Sequence, residues 1–185
     1  MKPYRFIVVS IILLTIYSCQ STRKVATDFE IQKLNTMVES KEFIIESDWA
    51  YPQTTNALNQ VLNSGILQPG SNSASINLIG NSNFLKILGD SIYSHLPYFG
   101  ERQMQVGYGG SGDGAIKLKG LMKNYQSVKR KDNGIDISFE AKSNSENFNV
   151  NITIWPSLNA NISLNSVSRF PIRYSGNAKE ISENE

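Results

Sequence analysis

Strict alternation of apolar and polar residues over residues 135–174 is the feature that most constrains this chain. Ile135, Ile137, Phe139 and Ala141 alternate with Asp136, Ser138 and Glu140. Phe148, Val150, Ile152 and Ile154 alternate with Asn147, Asn149, Asn151 and Thr153. Ala160, Ile162 and Leu164 alternate with Asn159, Asn161, Ser163 and Asn165, and Phe170, Ile172 and Tyr174 with Arg169, Pro171 and Arg173. Successive side chains of a strand point to opposite faces, so a period of two means strands with one dry face and one wet face. A slip of one residue would exchange the faces, so the pattern also fixes register. The links Lys131-Asp132-Asn133-Gly134 and Ser143-Asn144-Ser145-Glu146 are short, which makes consecutive strands antiparallel neighbours.

Upstream of this block the chain begins with a helix. Thr27-Asp28-Phe29-Glu30 has the form of a capping box, and Ile31, Leu34 and Val38 follow at helical spacing. The spacing predicts a helix over about 28–41. Phe43 to Tyr51 then has strand character and Pro52 closes it. Leu58, Val61 and Leu62 fit a short helix ending at Gly65. Ile76–Ile79, Phe84–Leu88, Met104–Tyr108 and Ile116–Leu118 read as further strands. The predicted fold is mainly β (α+β): an N-terminal helix followed by a large antiparallel meander of roughly eight to ten strands, curled into a barrel or clam. A single domain is expected over 27–176, with a frayed polar tail at 177–185.

The N-terminus carries an address. Lys2 and Arg5 precede an apolar run, Phe6 to Ile16, broken only by Ser10 and Thr15, and Cys19 follows. The run is short of the roughly 20 residues a membrane span needs. Charge, apolar core and cleavage site come in signal-peptide order. Ile16-Tyr17-Ser18-Cys19 resembles a bacterial lipobox, so residues 1–18 read as a signal peptide and Cys19 as the acylated residue. Residues 19–26 would form a lipidated tether, whose last seven residues span at most roughly 25 Å. Two or more acyl chains hold a protein stably on a bilayer, whereas one holds marginally. The expected location is the cell envelope, at the outer membrane facing the periplasm. The chain has 18 Lys+Arg and 16 Asp+Glu. Loss of Lys2 and Arg5 makes the two equal, which excludes the basic footprint of a nucleic-acid binder. Cys19 is the sole cysteine, so the domain has no disulfide to rely on.

Several blocks together resemble the DUF4251 family of bacterial lipoproteins. They are Phe43 to Pro52, Ile76-Asn77-Leu78, Gly89-Asp90-Ser91, Leu96-Pro97-Tyr98-Phe99-Gly100, and Arg169 with Ile172-Arg173-Tyr174-Ser175-Gly176. The resemblance covers roughly residues 28–176, and the chain is longer than the family pattern at about 53–70. It implies a lipoprotein and one domain. The family has no known function, so it implies no chemistry.

The search for chemistry therefore rests on the residues. His95 is the sole histidine, which leaves no His-based metal site. Asp90, Ser91 and Ser94 lie near it in sequence, but nearness is not triad geometry. Gly107-Tyr108-Gly109-Gly110-Ser111-Gly112 matches G-x-G-x-x-G yet precedes a strand, where a dinucleotide site needs a helix. Glu46 and Asp48 share a strand face as a glycosidase pair would, and a solvated face explains them equally. No cofactor or metal is expected, and the chain reads as non-catalytic. The candidate binding residues are Tyr98 and Phe99 in the aromatic turn, whose first explanation is packing of both rings on the end of the sheet, Tyr108 in the glycine-rich loop, and Trp155 beside the Asn-rich wet face. Amides next to an aromatic ring suit sugar hydroxyls. Three classes stay open: an envelope module binding a protein or glycan, a lipocalin-like carrier of an apolar molecule, and a carboxylate-based hydrolase. The membrane, reached through lipid on Cys19, is the first expected partner. Cys19→Ala is expected to abolish incorporation of an acyl probe and leave mislocalised precursor; equal labelling of the two proteins would end the lipoprotein reading.

Overall fold

The computed structural model describes residues 25–53, 55–56, 59–60, 68–103, 114–143 and 146–181. The signal peptide, Cys19, most of the 58–65 segment, the strand expected over 104–108 and the glycines at 107–112 lie outside the described residues.

Helix α1 spans Asp28–Ser40. Its capping box forms as the sequence predicts. Thr27 Oγ1 accepts from the Glu30 backbone N–H at 3.3 Å, and the Thr27 N–H donates to Glu30 Oε2 at 2.8 Å. These two bonds satisfy amides that a helix start otherwise leaves unpaired. Lys41 ends the helix in the left-handed conformation, φ 54°. Leu34, Met37 and Val38 are its buried side.

Eleven strands follow among the described residues: β1 (Glu42–Pro52), β2 (Ile76–Asn77), β3 (Phe84–Leu88), β4 (Ser91–Pro97), β5 (Ala115–Ile116), β6 (Lys119–Leu121), β7 (Lys123–Lys129), β8 (Ile135–Ser143), β9 (Glu146–Ile154), β10 (Asn159–Ser166) and β11 (Ile172–Glu180). They form one antiparallel sheet in the order β5-β4-β3-β1-β11-β10-β9-β8-β7, with β2 beside β1 and β6 beside β4. The meander expected from alternation holds from β7 to β11. It does not extend through the whole chain, because β1 sits between β3 and β11 at the centre of the sheet.

The sheet curls without closing into a barrel. The segment 119–129 pairs with β4 through β6 and with β8 through β7. It thereby brings the two ends of the sheet toward each other. Lys41 ties the same region. Its Nζ lies 2.7 Å from Asp90 Oδ1 and 4.6 Å from the centre of the Tyr125 ring on β7.

The dry face predicted for β8–β11 is the core. Ile137, Phe148, Val150, Ile152, Ile162 and Tyr174 are among its buried members, joined by Phe43 and Ile45 from β1 and by Leu85, Ile87 and Ile92 from β3 and β4. The tail expected to fray from residue 177 is strand over its first four residues. Residues 177–180 belong to β11, with Ala178 buried and paired to Ile45. A polar stretch reads as tail in isolation, but pairing with β1 supplies the backbone bonds and the burial that its side chains do not.

Pro52 is the last residue of β1 rather than a residue beyond it, and it pairs with Ile172. β1 also carries a bulge between Ser47 and Trp49. A bulge frees backbone groups, which must find partners when buried. The buried Asn83 side chain supplies two: its Oδ1 accepts from the Ser47 N–H at 2.9 Å and its Nδ2 donates to the Ser47 carbonyl at 2.8 Å. The Leu78 N–H takes the Asp48 carbonyl at 2.8 Å. Opposite the bulge, a Cβ on Gly176 would stand 1.9 Å from the Glu46 carbonyl oxygen, so only glycine fits.

Phe148→Ala is expected to destabilise the domain by about 3–5 kcal/mol through loss of buried surface and the cavity left behind. Asn149→Ala, one residue on and facing out, should cost under about 0.5 kcal/mol. Urea midpoints measure both, and equal losses would mean that the outer face is covered as well.

Candidate functional site

The outer face of β9, β10, β11 and β1 gathers the Asn-rich residues that alternation points outward. Pairing sets them in rows. Asn151 lies opposite Ser163, Ser163 opposite Arg173, and Arg173 opposite Tyr51. In the next row Thr153, Asn161, Ser175 and Trp49 face one another in turn. Neighbouring strands stand about 4.8 Å apart, so each row repeats hydrogen-bonding groups at that interval.

Two grooves run over these rows. One, of about 370 Å³, is bounded by Tyr51, Asn151, Asn161, Ser163 and Arg173. The second, of about 360 Å³, is bounded by Asp48, Trp155, Asn159 and Asn177. Asn161 and Ser175 line both, so the grooves are continuous. A recess of about 620 Å³ between Val25, Glu30 and Asp132 extends the path beyond Trp155.

The polar groups of this face fall into two sets. Some are engaged within the protein. Thr153 Oγ1 donates to Asp136 at 2.7 Å, Asn177 Nδ2 to Asp48 at 3.2 Å, and Tyr51 Oη lies 3.1 Å from Ser175 Oγ. The side-chain amides of Asn151 and Asn161 have no partner among the described residues and face the groove. Each offers two donors and an acceptor. Trp155 is half-buried near Asp132, whose carboxyl Arg130 chiefly holds below the usual range.

The aromatic turn does something different. The Tyr98 hydroxyl lies 2.8 Å from the Glu101 carbonyl and 3.1 Å from that of Phe170. Burial pushes it up to about 12 despite the nearby Arg169, so it remains a protonated donor. Its ring folds onto Gly100, where an added Cβ would stand 2.4 Å from Tyr98 Oη. Arg169 lies beneath the ring, 5.0 Å from its centre, and pairs with Glu146 at 2.7 Å. Both charged side chains are nearly buried, at 7% and 11% exposure. Tyr174, from the same block as Arg173, donates to the Pro97 carbonyl at 2.8 Å. The 96–100 and 169–176 blocks thus meet as a polar clasp across the end of the sheet.

The model of the domain of unknown function DUF4251 matches residues 27–178. This chain belongs to the DUF4251 family. Its fold is similar to the crystal structure of a DUF4251 family protein from Bacteroides eggerthii DSM 20697, with 13% identity and a TM-score of 0.56, over 82% of this chain and 88% of that one. No curated protein matches.

Among the predicted site residues of this DUF4251 chain, the structure places Trp155 on the outer groove. Tyr98 and Phe99 are half-buried against the core, and Tyr98 serves the clasp. Tyr108 and Cys19 lie outside the described residues. His95 and Ser94 are successive residues of β4, and Ser94 is committed to the Ile116 carbonyl and the Leu118 N–H. Glu46 and Asp48 each have a polar neighbour, with the β1 bulge beside Asp48. Glu46 pairs with Lys179 and Asp48 with Asn177. Tyr51 and Arg173 escaped the sequence reading, since no local signal sets β1 beside β11.

Removing one partner of a buried ion pair leaves an uncompensated charge. Glu146→Gln is therefore expected to cost about 3–5 kcal/mol in chemical denaturation, and the double change Glu146→Leu with Arg169→Met less than the single one. A single variant as stable as wild type would mean that water reaches Arg169.

Proposed function

We propose that this protein is a non-catalytic lipoprotein of the bacterial envelope, held at the outer membrane through lipid on Cys19, that binds glycan on the outer face of its sheet. The observation that carries the reading is the continuous groove over β9, β10, β11 and β1. Unengaged amides line its floor and Tyr51 and Trp155 stand along it. Sugar hydroxyls both donate and accept, which an amide matches, and aromatic rings give the apolar faces of a sugar a surface. The inner face supports this reading over a carrier, because a contiguous cluster from α1 and both halves of the sheet fills it. The carboxylates support it over a hydrolase, because Glu46, Asp48 and Asp136 are each engaged with a neighbouring side chain.

The test uses the purified full chain in detergent, incubated with a panel of envelope and extracellular polysaccharides. Binding is expected, and Tyr51→Ala or Asn161→Ala should weaken it about tenfold, near 1.4 kcal/mol. Melting temperatures should stay close to wild type, since both changes lie on the outer face. Retention unchanged in both variants would remove the site from this face. Release of new reducing ends would overturn the non-catalytic reading.

A further inference from the structure

We infer that the outer groove selects acidic glycans and grips a sugar carboxylate through Arg173. The inference rests on the glycan reading above and deepens it. Arg173 is exposed on β11, in the row Asn151–Ser163–Arg173–Tyr51. Its guanidinium carbon stands 5.8 Å from the centre of the Tyr51 ring. No carboxylate pairs with it among the described residues. The acids nearest this face are already engaged: Asp136 by Arg130 and Thr153, Asp48 by Asn177, and Glu46 by Lys179.

A guanidinium is always charged and presents parallel donors that match a carboxylate. Tyr51 offers it an aromatic face, and contact with Ser175 holds the Tyr51 hydroxyl. The fork is thus partly ordered before any ligand arrives, which lowers the entropic cost of binding. Ser163 and Asn151, directly across the strands, are placed for the hydroxyls of the same sugar. A neutral sugar would use the amides and leave the charge unmatched. A uronate would use both. Among the described residues Arg173 is the sole cation bounding this groove, which suits a singly charged carboxylate better than a phosphate dianion.

The full chain in detergent is titrated with polygalacturonate, alginate and hyaluronate, each beside its fully methyl-esterified form. Esterification keeps the backbone and removes only the charge. Wild type is expected to bind at least one acid form tenfold or more tightly than its ester, with the preference shrinking as salt rises. Arg173→Gln should abolish the preference for acid over ester, while Arg173→Lys should keep part of it, having the charge without the fork. Equal binding of acid and ester by wild type would overturn the acidic inference and leave the glycan reading standing. A preference that survives Arg173→Gln would also overturn it. Failure to bind acid, ester and every neutral polysaccharide would overturn both. Added inorganic phosphate competing as well as galacturonate would assign the site to anions in general and overturn the sugar-acid assignment.

Discussion

Where β1 bulges at Ser47–Trp49, its backbone comes so near Gly176 that no side chain fits between the strands. The two halves of the molecule meet at that contact. On one side lie α1, β3 and β4, and on the other the meander β7–β11. β1 is the seam, and it can be the seam only because the bulge's freed backbone groups are satisfied. Asn83 does so for Ser47 on both sides of the peptide, and Leu78 does so for Asp48. A buried amide left unpaired costs about 1–3 kcal/mol, so an apolar residue at 83 would turn the seam into a fault.

The parts of the fold legible in the sequence are those written in local chemistry. The capping box at Thr27 and Glu30 needs four residues and is visible in four. The alternation from Ile135 to Tyr174 exposes both the strands and their dry face. What stayed hidden depends on pairing over long separations. β7 was not apparent, because nearly all its residues are exposed and it has no dry face to alternate against. Nor was β4, where His95 and the turn-like Asp90-Ser91 mask a strand. The central place of β1 followed from neither propensity nor period, since the same alternation would suit an edge.

The site shows the same division. That the asparagines share a face is a matter of parity and can be counted. That Tyr51 joins them, and that Arg173 lies beside Tyr51, follows from the β1–β11 register, which the sequence does not display. The aromatic turn illustrates the converse. Tyr98 and Phe99 stood out by composition, and the structure packs both against the core, with the Tyr98 ring over the buried Arg169–Glu146 pair. These two aromatics pack on the core, and the less prominent Tyr51 borders the groove.

The segment 119–129 has a consequence for how the molecule breathes. An open sheet ordinarily frays from its two ends independently, each edge opening at its own local free energy. Here one continuous stretch of backbone is hydrogen-bonded to β4 at its start and to β8 along most of its length, with the Met122 N–H taking the Asp90 carbonyl at the junction. An opening at one end therefore tugs on the other. The amides of β4 and β8 become members of one exchanging unit, and a sheet that is open by topology acquires much of the cooperativity of a closed one.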